Sequence, residues 1–401
     1  MGFARLKGRL TLEVKQLLRL GRSIGGAKMP DIVLRNVVKK FDKSNIAVNS
    51  LNLEIHDNDF ITLLGPSGCG KTTTLRMIAG LEHPTSGEIL IDGKTVFSSE
   101  DGIDVPPEKR NIGFIFQNYA LWPQMTVYQN IAFGLENMKW KRSRVKERVS
   151  DLLKMMQLEG FEDRYPSELS GGQQQRVAIA RTLATNPTIL LMDEPLSNLD
   201  AKLRMEMRLE LKNLHVQTHT TIIYVTHDQL EAMTMSTKIA LFQSGILQQF
   251  GAPLEIYSEP ANLFTADFVG SPSNNLVLFR GENVNLDEIA LSRDEMCFIY
   301  TPISGGVAIS KGKELVAGIR PENIFISESG PIQGKVYSTL PSGMETVICI
   351  TVGTIRLNCV LFGRIDYKIG EPVAVGFKND KIPLFDAQTG KRIALGKIEV
   401  I

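Results

Sequence analysis

The stretch FITLLGPSGCGKTT, residues 60–73, decides the fold of this chain. Its first five residues are mostly large and apolar, which is typical of a short buried strand. A loop with three glycines follows, and the residues after the loop favour a helix. A glycine-rich loop between a strand and a helix lets backbone N–H groups surround phosphate groups. The stretch therefore predicts an α/β domain with a phosphate-binding loop, the P-loop, that holds a nucleotide.

The P-loop contains the groups that a nucleoside triphosphate requires. Its glycines let the backbone approach the phosphates closely. Lys71 is expected to reach the β- and γ-phosphates, and the Thr72 hydroxyl is expected to bind Mg²⁺. The residues predicted to bind the nucleotide here are Gly65, Pro66, Ser67, Gly68, Cys69, Gly70, Lys71, Thr72 and Thr73.

Two acidic residues end a second apolar run, TILLMDE, at residues 188–194. Chemistry in parallel α/β sheets lies at the carboxyl ends of the strands, so these acids are expected near the P-loop. Asp193 is predicted to hold Mg²⁺. Glu194 is predicted to orient and polarise the attacking water.

Two further strand ends carry polar side chains. His227 ends the run TIIYVTH (221–227), where its imidazole is expected to bond the γ-phosphate. Gln117 follows the apolar strand in GFIFQNYALWP, and its amide is expected to reach both metal and water. The predicted catalytic residues are Glu194, His227 and Gln117, and the predicted metal ligands are Thr72, Gln117 and Asp193.

A second anion site is predicted at LSGGQQQRVAIARTLA, residues 169–184. Ser170 can cap a helix there, and an apolar stripe follows at Val177, Ala180 and Leu183. The start of a helix presents free N–H groups and a positive dipole end to an anion. This site lies about a hundred residues after the P-loop, which raises the question of why one nucleotide-binding domain needs both.

The remaining sequence divides the chain into parts. Strands and helices alternate from Ile32 to Asp267, which predicts a mostly parallel sheet. Short alternating stretches after residue 270, such as ETVICITV (345–352), predict a small β domain. The predicted parts are a basic extension over 1–28, a nucleotide-binding domain over 29–270 with a helical subdomain over about 118–175, and a β-rich domain over 271–401.

Composition narrows the classes of protein. The net charge of +1 over 401 residues gives no bulk electrostatic argument for a nucleic-acid binder, although it does not exclude a local basic patch. Four cysteines without CxxC spacing indicate free thiols in a reducing compartment. No apolar run approaches the length of a membrane span, so we expect a chain that is soluble or peripheral to a membrane. Residues 1–28 hold seven basic residues and one acidic residue, and the favoured interpretation is an upstream extension rather than a membrane-surface helix.

Together these motifs resemble the nucleotide-binding subunit of an ATP-binding-cassette (ABC) transporter over about residues 30–270. GPSGCGKT is similar to the family's Walker A loop, LLMDE (190–194) to Walker B and LSGGQ (169–173) to the family signature. The remaining matches are Gln117 to the Q-loop, SNLD (197–200) to the D-loop, His227 to the switch histidine and Phe41 to the aromatic that stacks on adenine.

The resemblance implies an answer to the question of the two anion sites. In this family two subunits pack head to tail, and the signature helix of one closes over the γ-phosphate held by the other's P-loop. Ser170, Gly171, Gly172 and Gln173 would then contact ATP only in the dimer. ATP and Mg²⁺ are the implied cofactors, and hydrolysis removes the contact that holds the two halves together.

Two regions of the sequence resemble a narrower group within this family, the importers. NYALWPQMTVYQNIAFGL (118–135) is similar to the region that receives a coupling helix from a membrane permease. FVGSPSNN (268–275) and GIRPENI (318–324) are similar to the OB-like, TOBE-type regulatory domain of maltose, trehalose and glycerol-phosphate importers. Asn274 stands where such importers often have methionine. Polyamine and iron importers carry a related domain and stay as alternatives, as does a spacer role for this domain.

The implied partners follow from the same resemblance. They are two transmembrane permease subunits, an extracytoplasmic solute-binding protein, and a second copy or a paralogue of this chain, with no nucleic acid. The implied location is the cytoplasmic face of the cell (inner) membrane, as a peripheral subunit. A soluble ABC ATPase outside transport is disfavoured, because only 99 positions (170 − 71) separate Lys71 from Ser170 and no long heptad run intervenes.

Overall fold

The computed structural model describes residues 32–42, 45–294, 296–363, 365–378 and 381–401, so the basic extension predicted over 1–28 lies outside the described residues. The helices are α1 (Lys71–Ala79), α2 (Val127–Asn137), α3 (Arg142–Met155), α4 (Gly171–Ala184), α5 (Ala201–Thr218), α6 (Gln229–Met235), α7 (Pro253–Ser258) and α8 (Leu263–Phe268). Short 3₁₀ turns cover Pro107–Lys109, Pro166–Glu168 and Pro321–Asn323.

The strands before residue 271 are β1 (Ile32–Lys40), β2 (Ile46–Ile55), β3 (Phe60–Leu64), β4 (Ser86–Ile91), β5 (Lys94–Ser98), β6 (Ile103–Asp104), β7 (Ile112–Ile115), β8 (Ile189–Asp193), β9 (Thr221–Thr226), β10 (Lys238–Gln243) and β11 (Ile246–Gly251). Those after it are β12 (Asn275–Asn283), β13 (Ile289–Arg293), β14 (Met296–Pro302), β15 (Lys313–Ile319), β16 (Ile324–Ser327), β17 (Ile332–Pro341), β18 (Glu345–Val352), β19 (Ile355–Phe362), β20 (Pro372–Phe377), β21 (Ile382–Asp386) and β22 (Arg392–Val400).

The central sheet has the strand order β11-β10-β3-β9-β8-β7. Its strands run parallel except for β11, which pairs antiparallel at the edge. Every residue of β3, β8 and β9 is buried, as expected for parallel strands covered on both faces. The register pairs Leu64 with Thr226 and Asp193 with Val225. The carboxyl ends of β3, β8 and β9 therefore lie side by side, and they carry the P-loop, the acidic pair and His227.

The sequence predicts one mostly parallel sheet from Ile32 onward, and this prediction is wrong for the first strands. β1, β2, β4, β5 and β6 form a separate antiparallel sheet in the order β2-β1-β4-β5-β6. β1 alternates buried and exposed residues over its first part, and this pattern belongs to a sheet with one face on the core. An apolar core of β1, β2 and α1 residues joins this sheet to the central one.

Three helices form the helical subdomain. Apolar side chains of α2, α3 and α4 pack in one core, including Ile131, Val149 and Val177. Two of these helices start with the same device, a capping box, formed by Thr126 with Gln129 on α2 and by Ser170 with Gln173 on α4. α4 continues to Ala184, beyond the predicted end of the subdomain at about 175.

The C-terminal region is all-β, as the sequence predicts. β12, β13, β14, β22, β21 and β15 form a closed barrel, and β16, β20, β17, β18 and β19 form a second sheet. The two share one apolar core. The closed barrel confirms the OB-like architecture expected there. α8 ends at Phe268 and β12 begins at Asn275, while the exact domain boundary at 270 stays a prediction.

Arg320 lies at the junction between the two regions. Its guanidinium donates hydrogen bonds to the carbonyl oxygens of Val269 and Tyr257 and lies 3.8 Å from the centre of the Tyr257 ring. The Tyr257 hydroxyl donates to Glu322 at 2.6 Å. These contacts fasten the β-rich region to the nucleotide-binding region. None of the described helices combines the length and apolar content needed to span a membrane.

Candidate nucleotide site

The P-loop wraps around the side chain of its own lysine. Lys71 is buried, and its Nζ donates to the carbonyl oxygens of Gly65 at 2.7 Å and Pro66 at 2.8 Å. Gly65 and Gly70 have φ of +151° and +103°, and a Cβ at either would lie 2.3 Å from a backbone oxygen. Only glycine fits both positions. The carbonyl oxygens of the loop hold the amine, whereas its N–H groups are the ones that can bind phosphates.

Thr72 and Asp193, two of the predicted metal ligands, contact each other directly, and their role as ligands stays a prediction. The Thr72 hydroxyl donates to Asp193 Oδ1 at 2.8 Å, and Arg76 lies 3.6 Å from Oδ2. Burial raises the pKa of Asp193, while the Thr72 hydrogen bond and Arg76 oppose this effect. Mg²⁺ prefers oxygen ligands and often binds through one or two protein groups plus phosphates. The donor set fits Mg²⁺, because the Thr72 hydroxyl and the Asp193 carboxylate are two adjacent oxygen donors.

Glu194 and His227 follow neighbouring strands and face each other. Glu194 has a left-handed backbone, with φ of 45°, and its N–H donates to the carbonyl oxygen of Val225 at 3.1 Å. This turn directs the carboxylate toward His227, and Glu194 Oε2 lies 3.5 Å from His227 Nδ1. The structure thus brings together the two residues predicted to act on water and the γ-phosphate.

A small cavity of about 20 Å³ lies beside this pair, a volume that suits about one water molecule. Its lining includes Glu194, Ser197, His227 and Glu231. Glu231 is buried and accepts hydrogen bonds from the hydroxyls of Tyr224 at 2.8 Å and Thr226 at 2.7 Å. Burial raises the pKa of Glu231. Sequence reasoning missed this carboxylate, because nothing in its local pattern marks it as part of the site.

Gln117 contacts the D-loop rather than the Thr72–Asp193 pair. Its Nε2 donates to Ser197 Oγ at 3.3 Å, and Ser197 Oγ donates to the Glu194 carbonyl oxygen at 2.9 Å. Asn198 Nδ2 donates to the Gln117 carbonyl oxygen at 3.2 Å. These bonds tie Gln117 to the loop that follows Glu194. Its predicted role as a metal ligand stays a prediction, and the link through Ser197 was not predicted.

The signature helix begins with the serine cap that the sequence predicts. Ser170 Oγ accepts from the Gln173 N–H at 3.4 Å, and Gln173 Oε1 accepts from the Ser170 N–H at 2.9 Å. A Cβ at Gly172 would lie 2.7 Å from the Leu203 side chain, so this helix end packs closely on α5. Among the described residues, no hydrogen bond joins 170–173 to 65–73.

Phe41 lies on the exposed loop that follows β1. Its side chain is 55% exposed, and Lys39 Nζ lies 5.0 Å from the centre of its ring. The next strand passes the P-loop, since the Ala47 carbonyl oxygen is the atom that a Cβ at Gly70 would meet. An exposed ring on this side of the P-loop suits stacking on a base, and that role stays a prediction.

Comparison with known proteins identifies the class. The family model described as ABC transporter matches residues 48–197. The cbiO1 structure from Clostridium perfringens, described as part of the ABC transporter complex cbiONQ, shares 30% identity and a TM-score of 0.52, covering 57% of this chain and 90% of that one. This chain belongs to the ABC transporter ATP-binding family, and it is an ATPase that binds ATP.

Several relatives match over nearly their whole length. The trehalose/maltose import ATP-binding protein MalK of Thermococcus litoralis is 43% identical, over 91% of this chain and all of that protein. The oligosaccharides import ATP-binding protein MsmX of Bacillus subtilis is 41% identical with the same coverage. The uncharacterized ABC transporter ATP-binding protein YcjV of Escherichia coli strain 536 is 43% identical, over 90% of this chain and 99% of that protein.

Proposed function

We propose that this chain is the ATP-hydrolysing subunit of a carbohydrate importer. The names of MalK and MsmX support this cargo, and their similarity covers about nine-tenths of the chain, including the C-terminal β region. In this proposal two copies of the chain dock on two transmembrane permease subunits at the cytoplasmic face of the membrane. A solute-binding protein delivers the cargo from outside. A polyamine or iron importer is the alternative.

The residues at the carboxyl ends of the central strands are the observation that best supports the proposal. The 2.8 Å bond between Thr72 and Asp193, one residue before Glu194, supports a metal site beside the residue proposed to act on water. Mg²⁺ held there with the phosphates would neutralise the charge that develops during phosphoryl transfer. Lys71 binds the phosphates, Glu194 orients and polarises the attacking water, and His227 hydrogen-bonds the γ-phosphate.

The proposal completes the site with a second copy of the chain. The N-terminus of α4 is exposed at Ser170, and its first N–H groups and positive dipole end suit a phosphate. When the partner's α4 covers the γ-phosphate, ATP joins the two copies. Hydrolysis then separates them and moves the permease.

The first experiment is Glu194→Gln. We expect the rate of ATP hydrolysis to fall by about 100-fold or more, because a general base contributes that much, while ATP still binds. The variant should run as a dimer in size-exclusion chromatography when ATP is present. Glu136→Gln, on the exposed part of α2, is the matched control and should hydrolyse at the parent rate. Parent-like hydrolysis by Glu194→Gln would contradict the assignment.

The cargo requires a separate experiment. The chain is reconstituted with the permease subunits that co-purify with it and with the solute-binding protein, and uptake of labelled maltose, trehalose, a polyamine and iron is compared. The proposal expects sugar uptake that Glu194→Gln abolishes. Uptake of the polyamine or iron alone would replace carbohydrate with the alternative cargo and leave the ATPase assignment intact.

A further inference from the structure

The segment between Gln117 and α2 has a backbone that needs support. Tyr119 and Ala120 have φ of 60° and 47°, two consecutive left-handed residues that both carry a Cβ. This conformation is disfavoured for such residues and persists only when the surroundings hold it. The first support comes from α2, where fully buried Asn130 donates to the carbonyl oxygens of Trp122, Met125 and Thr126.

The second support comes from the signature helix. Arg181 on α4 donates from Nη1 to the Ala120 carbonyl oxygen at 2.7 Å and from Nη2 to the Tyr119 carbonyl oxygen at 2.9 Å. Its Cζ lies 4.8 Å from the centre of the Trp122 ring. The planar fork of an arginine thus spans both left-handed residues, which a single amine cannot do in the same way. Burial lowers the pKa of Arg181, and no carboxylate contributes to its pKa shift.

The same segment is held at its other end by the hydrolytic loop. Gln117 bonds to Ser197, and Ser197 bonds to the Glu194 carbonyl oxygen. Two and three residues after Gln117, the carbonyl oxygens of Tyr119 and Ala120 accept the hydrogen bonds of Arg181, which fix this backbone to α4. The helix then runs back eleven residues to Ser170, roughly 16 Å at 1.5 Å per residue. A continuous chain of contacts therefore connects the Glu194 loop with the signature end of the helix.

We infer that Arg181 is a positioning residue that locks the backbone after Gln117 to the signature helix, so that Gln117 and Ser170 keep one relative placement. This inference rests on the proposed function, because Ser170 acts on the nucleotide of a second copy. Arg181 contacts neither ATP nor the reacting atoms. Its loss leaves the P-loop intact and misplaces the signature end and Gln117 relative to it.

The test is Arg181→Met in the full chain, which keeps an apolar stem over Trp122 and removes the fork. Arg148→Met is the matched control, because Arg148 is also desolvated and donates to a backbone carbonyl of the same subdomain, that of Leu183 at 2.8 Å. We expect kcat for ATP to fall about tenfold or more in Arg181→Met, as misplaced groups cost that much, with KM for ATP near the parent value. Arg181→Lys should recover only part of the loss.

Thermal unfolding of both variants separates positioning from folding. The inference expects similar unfolding midpoints for Arg181→Met and Arg148→Met and a fall in kcat in the first alone. Equal kcat in the two variants would overturn it, and so would a loss of kcat that follows the loss of midpoint in both. Failure of the proposed function would be seen in a different experiment. In that case Glu194→Gln, with Arg181 intact, would form no ATP-dependent dimer.

Discussion

At the scale of single residues, the candidate site collects side chains that follow the ends of neighbouring parallel strands. The P-loop, Asp193 and His227 each follow a buried apolar run, and parallel strands bring such ends to one edge. Their contacts were less predictable. The bond between Gln117 and Ser197 joins residues 80 positions apart, and it depends on how two loops pack rather than on either local sequence.

Glu231 allows a test of electrostatics at the residue scale. Burial raises the pKa of its carboxyl in the folded chain, so the folded state binds the proton more tightly than the unfolded state. Stability contributed by the protonated form is therefore lost as pH rises through the unfolded pKa toward the folded one. Arg204 favours the charged form, while Asp228 opposes it.

We predict that Glu231→Gln has a higher unfolding midpoint than the parent at about pH 7, with a smaller difference at about pH 4. The glutamine oxygen can still accept from Tyr224 and Thr226 but carries no charge. Thermal scans across this pH range measure the difference in midpoint. The same scans on Glu210→Gln provide a comparison, because the Glu210 carboxylate on α5 is paired with Arg176. A difference that shrinks as pH rises would contradict the burial argument.

At the scale of elements, two helices offer a matched pair. α2 and α4 both start with a capping box, at Thr126 and Ser170, but only α4 is proposed to face a nucleotide. We predict that Ser170→Arg stops ATP hydrolysis while a fluorescent ATP analogue still binds the monomer. The arginine blocks the helix end and leaves the P-loop of the same chain unchanged.

Thr126→Arg is the control, because it removes an equivalent cap at a typical cost of about 1 kcal/mol and should keep hydrolysis. Equal loss of hydrolysis in both variants would assign the effect of Ser170→Arg to the helix rather than to the nucleotide. Normal turnover by Ser170→Arg would exclude a composite site.

The elements also show where the sequence was ambiguous. β18 matches the alternating stretch predicted at 345–352 residue for residue. The antiparallel sheet of β1, β2 and β4–β6 was missed, because a short apolar run shows a strand without showing its partners or their direction. β2 follows β1 directly in the chain, but the pairing of β1 with β4 joins strands that β3, the P-loop and α1 separate in the sequence.

At the scale of the whole molecule, Arg320 fastens the β-rich region. We predict that Arg320→Leu lowers the unfolding temperature of that region and leaves ATP hydrolysis by the isolated chain nearly unchanged. Loss of a buried guanidinium with two carbonyl acceptors costs on the order of 3 kcal/mol. Calorimetry should show an earlier transition, or a single transition that divides into two.

Arg356→Leu is the control for this change. Arg356 also lies 3.8 Å from a tyrosine ring, that of Tyr337, but it is exposed and within the β-rich region. Its removal should change the unfolding profile little. Equal profiles for the two variants would show that Arg320 does not hold the two regions together.

The most direct measurement of the central claim mixes two defective chains. Lys71→Ala and Ser170→Arg are each placed in the Glu194→Gln background, and ATP retained after rapid desalting is counted. Each variant alone should retain none, because both of its composite sites are defective. An equimolar mixture should retain one ATP per mixed dimer, since one site then combines an intact P-loop with an intact signature helix. Retention by Ser170→Arg alone, or none by the mixture, would contradict a nucleotide shared between two copies of the chain.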